Sequence, residues 1–148
     1  MIRIAIDGTA SAGKGSIAKG VAERLSFPYI DTGAMYRSIA LLVLEAQKDC
    51  HDVNDVLSVL DEVQFDFTWE SGQLTTWLNG RNVSGLIRSK EVGVFASVVS
   101  VYPPVREKLS LIQQQYAQRE SLVMDGRDIG TVIIPDAELK VFVDCDVD

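Results

Sequence analysis

Ile2-Arg3-Ile4-Ala5-Ile6-Asp7 runs directly into Gly8-Thr9-Ala10-Ser11-Ala12-Gly13-Lys14-Gly15-Ser16, and this join decides the fold. The first part is short, apolar and β-branched, as a central parallel strand is. The second reads as a phosphate-binding loop. Its backbone N–H groups wrap the β-phosphate of a nucleotide and Lys14 reaches the β/γ oxygens. Glycine serves where backbone approaches phosphate closely or takes a positive φ. Downstream, Ile17, Val21 and Leu25 recur at four-residue spacing while Lys19, Glu23 and Arg24 point elsewhere. That spacing predicts an amphipathic helix with Ile17, Val21 and Leu25 inward, its N-terminal N–H groups and positive dipole end completing the phosphate site. The bland alternative is a glycine-rich turn with an incidental lysine.

The common form of this loop has Ser or Thr directly after the lysine, where its hydroxyl binds magnesium. Here Gly15 takes that place and the hydroxyl follows at Ser16. Mg²⁺ is therefore expected to be held by phosphate oxygens and water, which it tolerates well, with no metal ligand from the protein. Lysine, glycine and then a hydroxyl residue resembles the loop of many nucleoside monophosphate kinases.

A chain of 148 residues is one domain by length, with 47% hydrophobic and 24% charged residues, ordinary for a soluble globular protein. The net charge of −7 and the lack of a long basic run argue against a nucleic-acid polymer as partner. A small anionic ligand stays open, since local arginines and backbone dipoles outweigh net charge there. Cys50 and Cys145 lack metal-ligand spacing and read as reduced thiols. His51 sits in a polar loop and gives no reason to be a base. A strand beginning at residue 2 leaves no room for a signal peptide, and no apolar run spans a bilayer. A cytoplasmic monomer is expected.

Further strands are expected at Phe27–Asp31, Leu122–Met124 and Leu139–Val143. A helix after Thr32-Gly33 places Met35, Ile39, Leu42, Val43 and Ala46 on one face. Strand and helix alternation argues for a parallel sheet with flanking helices. Asn54–Glu62 reads as a short helix with Asn54 as N-cap. Gln64–Trp69 then alternates with period two, Glu70–Gln73 is a turn, Leu74–Leu78 a strand, and Asn79-Gly80 a tight-turn signal before Arg81–Val83. Trp69 and Trp77 are expected to cross-pair there. This meander is read as an inserted antiparallel subdomain, residues 63–100, between core segments 1–62 and 101–148. Pro103-Pro104 opens a helix with Val105, Leu109, Ile112 and Tyr116 on its apolar face.

An acceptor for the donor nucleotide belongs near the carboxyl ends of neighbouring strands. Two such ends carry polar groups: Thr32 with Arg37, and Arg127 with Asp128. Arginine suits a phosphate because its planar fork donates two parallel hydrogen bonds and stays charged. A solvated helix-surface arginine is the plain alternative for Arg37, and a turn ion pair for Arg127. The apolar strand ending in Asp125-Gly126-Arg127-Asp128 resembles a Walker B element, touching the metal through water.

Four segments resemble the cytidylate kinase family: Ile6–Ser16; Asp31-Thr32-Gly33-Ala34-Met35-Tyr36-Arg37; Ile87–Val92 through Ala96-Ser97 to Val105-Arg106; and Asp125–Val132 followed by Pro135-Asp136-Ala137. They fall in family order across essentially the whole chain. The resemblance implies that the inserted meander binds CMP. Ser97 and Arg106 would hydrogen-bond cytosine together with Asp128, while Thr32, Arg37 and Arg127 would surround the acceptor phosphate or its sugar. It also implies γ-phosphate transfer from ATP, with Mg²⁺, to CMP or dCMP. Lys14 and Arg127 would be the catalytic residues, and no general base is needed because the attacking phosphate oxygen is already ionised.

Ser11 departs from a glycine common in the family loop. The family continues past this point through an arginine-bearing lid, a further helix and a last parallel strand. A chain truly ending at Asp148 is therefore expected to bind nucleotide and turn over poorly. The other readings are a nucleotide-binding protein without catalysis and a kinase of the same loop type for another small monophosphate.

Overall fold

The computed structural model describes residues 1–9 and 13–144. Their elements run β1 (Arg3–Gly8), α1 (Lys14–Leu25), β2 (Tyr29–Asp31), α2 (Thr32–Glu45) and α3 (Val53–Leu60). Then come β3 (Phe65–Glu70), β4 (Gln73–Leu78), β5 (Arg81–Asn82), α4 (Lys90–Val99), α5 (Pro103–Ala117), β6 (Leu122–Gly126) and β7 (Leu139–Val143). They form two compact units. The first comprises Met1–Thr32, Trp69–Leu74 and the chain from Gln113 on; the second comprises Gly33–Thr68 and Thr75–Ile112. The expected insertion, 63–100, falls in the second unit apart from its hairpin tip.

The first unit is built on a four-stranded parallel sheet in the order β2-β6-β1-β7. Ile4 pairs with Val123 on one side and Leu139 on the other, and Ile6 with Asp125 and Val141. A strand covered on both faces reads as a continuous apolar run, which is why β1 and β6 are so legible. Ile4, Ala5, Ile6, Leu122, Val123 and Met124 are all buried. At the amino end of β1, the Arg3 guanidinium meets Asp136 at 3.1 Å and Glu138 at 3.2 Å. Its hydrogen bonds hold both carboxyls below their ordinary values.

Helix α1 packs on β6, β1 and β2, but not through the predicted stripe. Ile17 and Leu25 are exposed, at 44% and 46%, and Val21 is half-buried; the inward residues are Ala18 and Ala22, one position on. A methyl group lets the helix backbone approach the sheet closely, so the smaller residues take the interface and the larger ones flank it. The hairpin tip belongs to this unit as well: the Trp69 and Tyr29 rings meet nearly perpendicular, centroids 5.8 Å apart at 80°. The predicted pairing of Trp69 with Trp77 gives way to this contact, and the Trp77 indole N–H donates to Thr68 Oγ1 at 3.0 Å.

The second unit packs α2 against α3, α4 and α5 through Met35, Ile39, Val43, Val56, Leu60, Val92, Val99, Val105 and Leu109. Of the face predicted for α2, Leu42 is half-buried, and Ala46 lies beyond the helix end and is exposed. Helix α3 is capped by Asp52, whose carboxylate accepts from the Asn54 N–H at 2.9 Å, and not by Asn54 as expected. The strands β3-β4-β5 form the expected meander. Its turns place Ser71-Gly72 and Asn79-Gly80 at positive φ, the backbone that lets a two-residue turn follow the strand twist. Among the described residues no helix is long and apolar enough to cross a membrane.

Candidate nucleotide-binding site

Asp7, Thr32, Asp125 and Asp128 of the first unit stand at or just beyond the carboxyl ends of β1, β2 and β6. Strand β1 ends at Gly8, buried, and Thr9 follows, exposed. Ala10, Ser11 and Ala12 lie outside the described residues. Gly13 resumes in the left-handed region (φ 81°) and caps α1 without any side-chain bond. A glycine there costs no strain, and a helix start without a side-chain cap keeps its N–H groups for an anion. Lys14 and Gly15 are half-buried and Ser16 is exposed.

Gly15 has a specific surrounding. The point where its side chain would begin lies 3.8 Å from Asp125 Oδ2 and 3.9 Å from the Tyr29 hydroxyl. That hydroxyl donates to Asp125 Oδ2 at 2.7 Å, both residues being buried. The position that usually supplies a magnesium-binding hydroxyl thus faces a buried carboxylate held by a tyrosine. This donor set fits a hydrated Mg²⁺ carried by phosphates, which the carboxylate would hold through water without an adjacent hydroxyl.

The ends of β2 and β6 are joined through Thr32, whose buried hydroxyl donates to the Asp125 carbonyl at 2.8 Å. Past β6, Arg127 is exposed and Asp128 half-buried, and the chain enters a π-helical turn over Ile129–Ile133. The Asp7 carboxylate accepts from the Ile129 N–H at 2.8 Å and from the Gly130 N–H at 2.9 Å. One side chain at the end of β1 therefore fixes the segment that follows Arg127 and Asp128.

The remaining candidates stand in the second unit. Arg37 is half-buried on α2. Ser97 is exposed on α4 and its hydroxyl donates to the Val94 carbonyl at 2.8 Å. Arg106, on α5, donates to the Ser100 carbonyl at 3.2 Å and lies over the Tyr36 ring, 5.9 Å from its centroid. That ring directs the guanidinium by cation–π attraction. Arg106 and Tyr36 are therefore neighbours, while Ser97 faces its own helix.

Tyr29 and Asp7 escaped the sequence reading as functional side chains. A signal exists for Asp7, a charge closing an otherwise apolar buried strand. None exists for Tyr29, which reads as one more strand aromatic.

A profile of the cytidylate kinase family matches residues 4–148. A cytidylate kinase from Streptococcus gordonii is 47% identical over 148 residues, which are 99% of this chain and 66% of that protein. One from Caldicellulosiruptor saccharolyticus is 46% identical over 142 residues, 96% of this chain and 63% of the relative. One from Bacillus thuringiensis is 45% identical with the same coverage of 96% and 63%. The chain thus spans just under two thirds of the length of these relatives. The strand β1 leading into α1, the parallel sheet and the match from residue 4 onward agree: the chain belongs to the cytidylate kinase family.

Proposed function

We propose that this protein transfers the γ-phosphate of ATP to CMP, and to dCMP, yielding CDP or dCDP and ADP. The observation that carries the reading is the family match over residues 4–148, which takes in all four motif segments. The buried Asp125 beside Gly15 supports a Mg–ATP site at the start of α1.

Gly8–Ser16 bind the ATP phosphates through backbone N–H groups, and Lys14 neutralises charge on the transferring group. Bound Mg²⁺ supplies charge neutralisation on the β and γ phosphates. Arg37 and Arg127 orient the CMP phosphate, and Thr32 assists at the acceptor phosphate or sugar. Residues 63–100 form the CMP-binding subdomain. Ser97, Arg106 and Asp128 read the base. Cytosine's exocyclic amine asks for a carboxylate or hydroxyl acceptor, and its O2 and N3 ask for a cationic donor. A polar set of that pattern rejects a base with the reversed pattern strongly, because its own groups would be left unpaired.

The test is calorimetric titration of this chain with Mg–ATP, CMP and UMP, together with a CDP-formation assay. CMP binding with UMP much weaker, and loss of ATP binding in Lys14→Ala, are expected. Equal affinity for CMP and UMP would overturn the base assignment. Binding of both nucleotides with no CDP formed would favour a nucleotide-binding role without turnover for this chain.

A further inference from the structure

The connection between α2 and α3 holds the grouping that the nucleotide chemistry does not use. We infer that Asp49, Cys50 and His51 form a surface site for a Zn²⁺-class cation, separate from the magnesium that accompanies nucleotide. One ligand atom of each residue lies within 4.8 Å of the others. Cys50 Sγ is 3.7 Å from His51 Nδ1, and His51 Nδ1 is 3.5 Å from Asp49 Oδ1.

The first is a thiol–imidazole hydrogen-bond distance and the second an ion-pair distance, and both are also close to the edges of a metal tetrahedron. Zinc–ligand distances of about 2.3 Å to sulfur and about 2.0–2.1 Å to nitrogen and oxygen give edges of roughly 3.6 Å for S···N and roughly 3.3 Å for N···O. The observed gaps differ from these by a few tenths of an ångström, within side-chain adjustment. Three donors then leave the fourth position to water.

The loop is already anchored. The Tyr102 hydroxyl donates to the Cys50 carbonyl at 2.9 Å, and Asp55 Oδ2 accepts from the Asp49 N–H at 2.9 Å. Asp49 Oδ1 accepts from the His51 N–H at 2.9 Å, which turns that carboxylate toward the ring. Cys50 is 2% exposed, whereas the His51 and Asp49 side chains are 74% and 65% exposed. The exposed imidazole and carboxylate therefore meet a cation first, and the Cys50 sulfur closes the site from its buried side.

The donor types choose the metal. Thiolate, imidazole and carboxylate together suit Zn²⁺ or Co²⁺ and do not suit Mg²⁺, which prefers oxygen donors and water. On binding, the Cys50 thiol loses its proton to solvent, sulfur bonds the metal, and the six-coordinate hydrated ion releases all but one of its waters as it becomes four-coordinate. Burial, and then the charge of Asp49, raise the thiol pKa, and the cation opposes both effects.

Titration of the reduced chain with Co²⁺ tests the site, read by the thiolate-to-cobalt charge-transfer band. One equivalent should saturate the band, and Zn²⁺ should abolish it by displacement. Cys145→Ser should leave the band intact and Cys50→Ser should remove it. His51→Ala changes an exposed side chain, so the fold should persist, and Co²⁺ affinity should fall at least about tenfold. No band in the wild-type chain would overturn the site, as would a band that follows Cys145 or unaltered affinity in His51→Ala. Should Cys50→Ser fail to fold, the His51→Ala result decides alone.

Discussion

The Tyr29 hydroxyl donates to Asp125 Oδ2 across 2.7 Å inside the first unit, and the same tyrosine ring packs nearly perpendicular to Trp69 of the hairpin tip. One aromatic side chain thus both orients the carboxylate beside Gly15 and seats the tip.

Tyr29→Phe keeps the ring and removes only the donor. A buried carboxylate that loses a hydrogen-bond partner costs about 1–3 kcal/mol. Urea unfolding should show that loss with Trp69 packing retained, and Mg–ATP affinity should fall because Asp125 is no longer held toward Gly15. A change below about 0.5 kcal/mol, the size of an ordinary surface substitution, would mean that other partners hold Asp125 unaided.

Gly126→Ala tests the close approach of β2 and β6 at their carboxyl ends. The added methyl would sit 2.5 Å from Thr32 Oγ1 and 2.7 Å from Ile129 Cδ1. Both neighbours are buried, and Thr32 is already committed to the Asp125 carbonyl. Overpacking of this kind costs about 1–3 kcal/mol. Thermal unfolding should register it, with weaker CMP binding alongside. A variant as stable as the parent would mean that Thr32 gives way freely and does not fix the site.

Much of this was legible because the period and the punctuation agreed. An apolar run closed by a glycine loop reads as a buried strand before a helix, and Leu139–Val143 was bounded as the structure bounds it. Asn79-Gly80 marked its turn because both residues accept positive φ. The failures lie where two sequence signals compete. Ile17, Val21 and Leu25 outweigh Ala18 and Ala22 in hydrophobicity, yet close helix–sheet packing selects small volume. Asp52 and Asn54 are both good caps, and the choice depends on where Val53 enters the helix. Tyr29 could not be foreseen, because its role lies in a bond to a residue 96 positions away.

Arg81 and Glu45 make a paired contact in the second unit, with Arg81 Nη1 2.9 Å from Glu45 Oε2 and Nη2 2.6 Å from Oε1. The hydrogen bond from Arg81 lowers the Glu45 pKa below its ordinary 4.5. A carboxyl depressed on folding contributes stability above its unfolded value, and that stability is lost as pH falls through the folded value. Both side chains are more than 40% exposed, so solvent screening keeps the contribution to about 0.2–1 kcal/mol. Arg81→Ala should therefore melt slightly below the parent near pH 7, and the gap should narrow as pH falls below 4.5 and close once it passes the lowered folded value. A gap unchanged on acidification would assign the effect to packing of the arginine stem.

Asp7 offers the sharpest separation of stability from positioning. Its carboxylate satisfies two backbone N–H groups, those of Ile129 and Gly130, at the start of the turn after Arg127 and Asp128. Asp7→Ala leaves both donors without that acceptor, at about 1–3 kcal/mol for each one that stays buried. Gly130 also approaches Asp7 closely: a methyl there would lie 3.3 Å from Oδ2, so the turn has little room to shift and re-pair. Asp7→Asn retains one acceptor oxygen and turns an amide donor toward the other N–H, so it should recover only part of the loss. Local exchange should reveal the mechanism, with the Ile129 and Gly130 amides exchanging faster in both variants. CMP affinity should fall in the order parent, Asn, Ala, while ATP affinity, on the role proposed for the loop and Lys14, falls less. If Asp7→Asn matched the parent in both exchange and CMP affinity, a single hydrogen bond would suffice, and the paired acceptance would not be what holds Arg127 and Asp128.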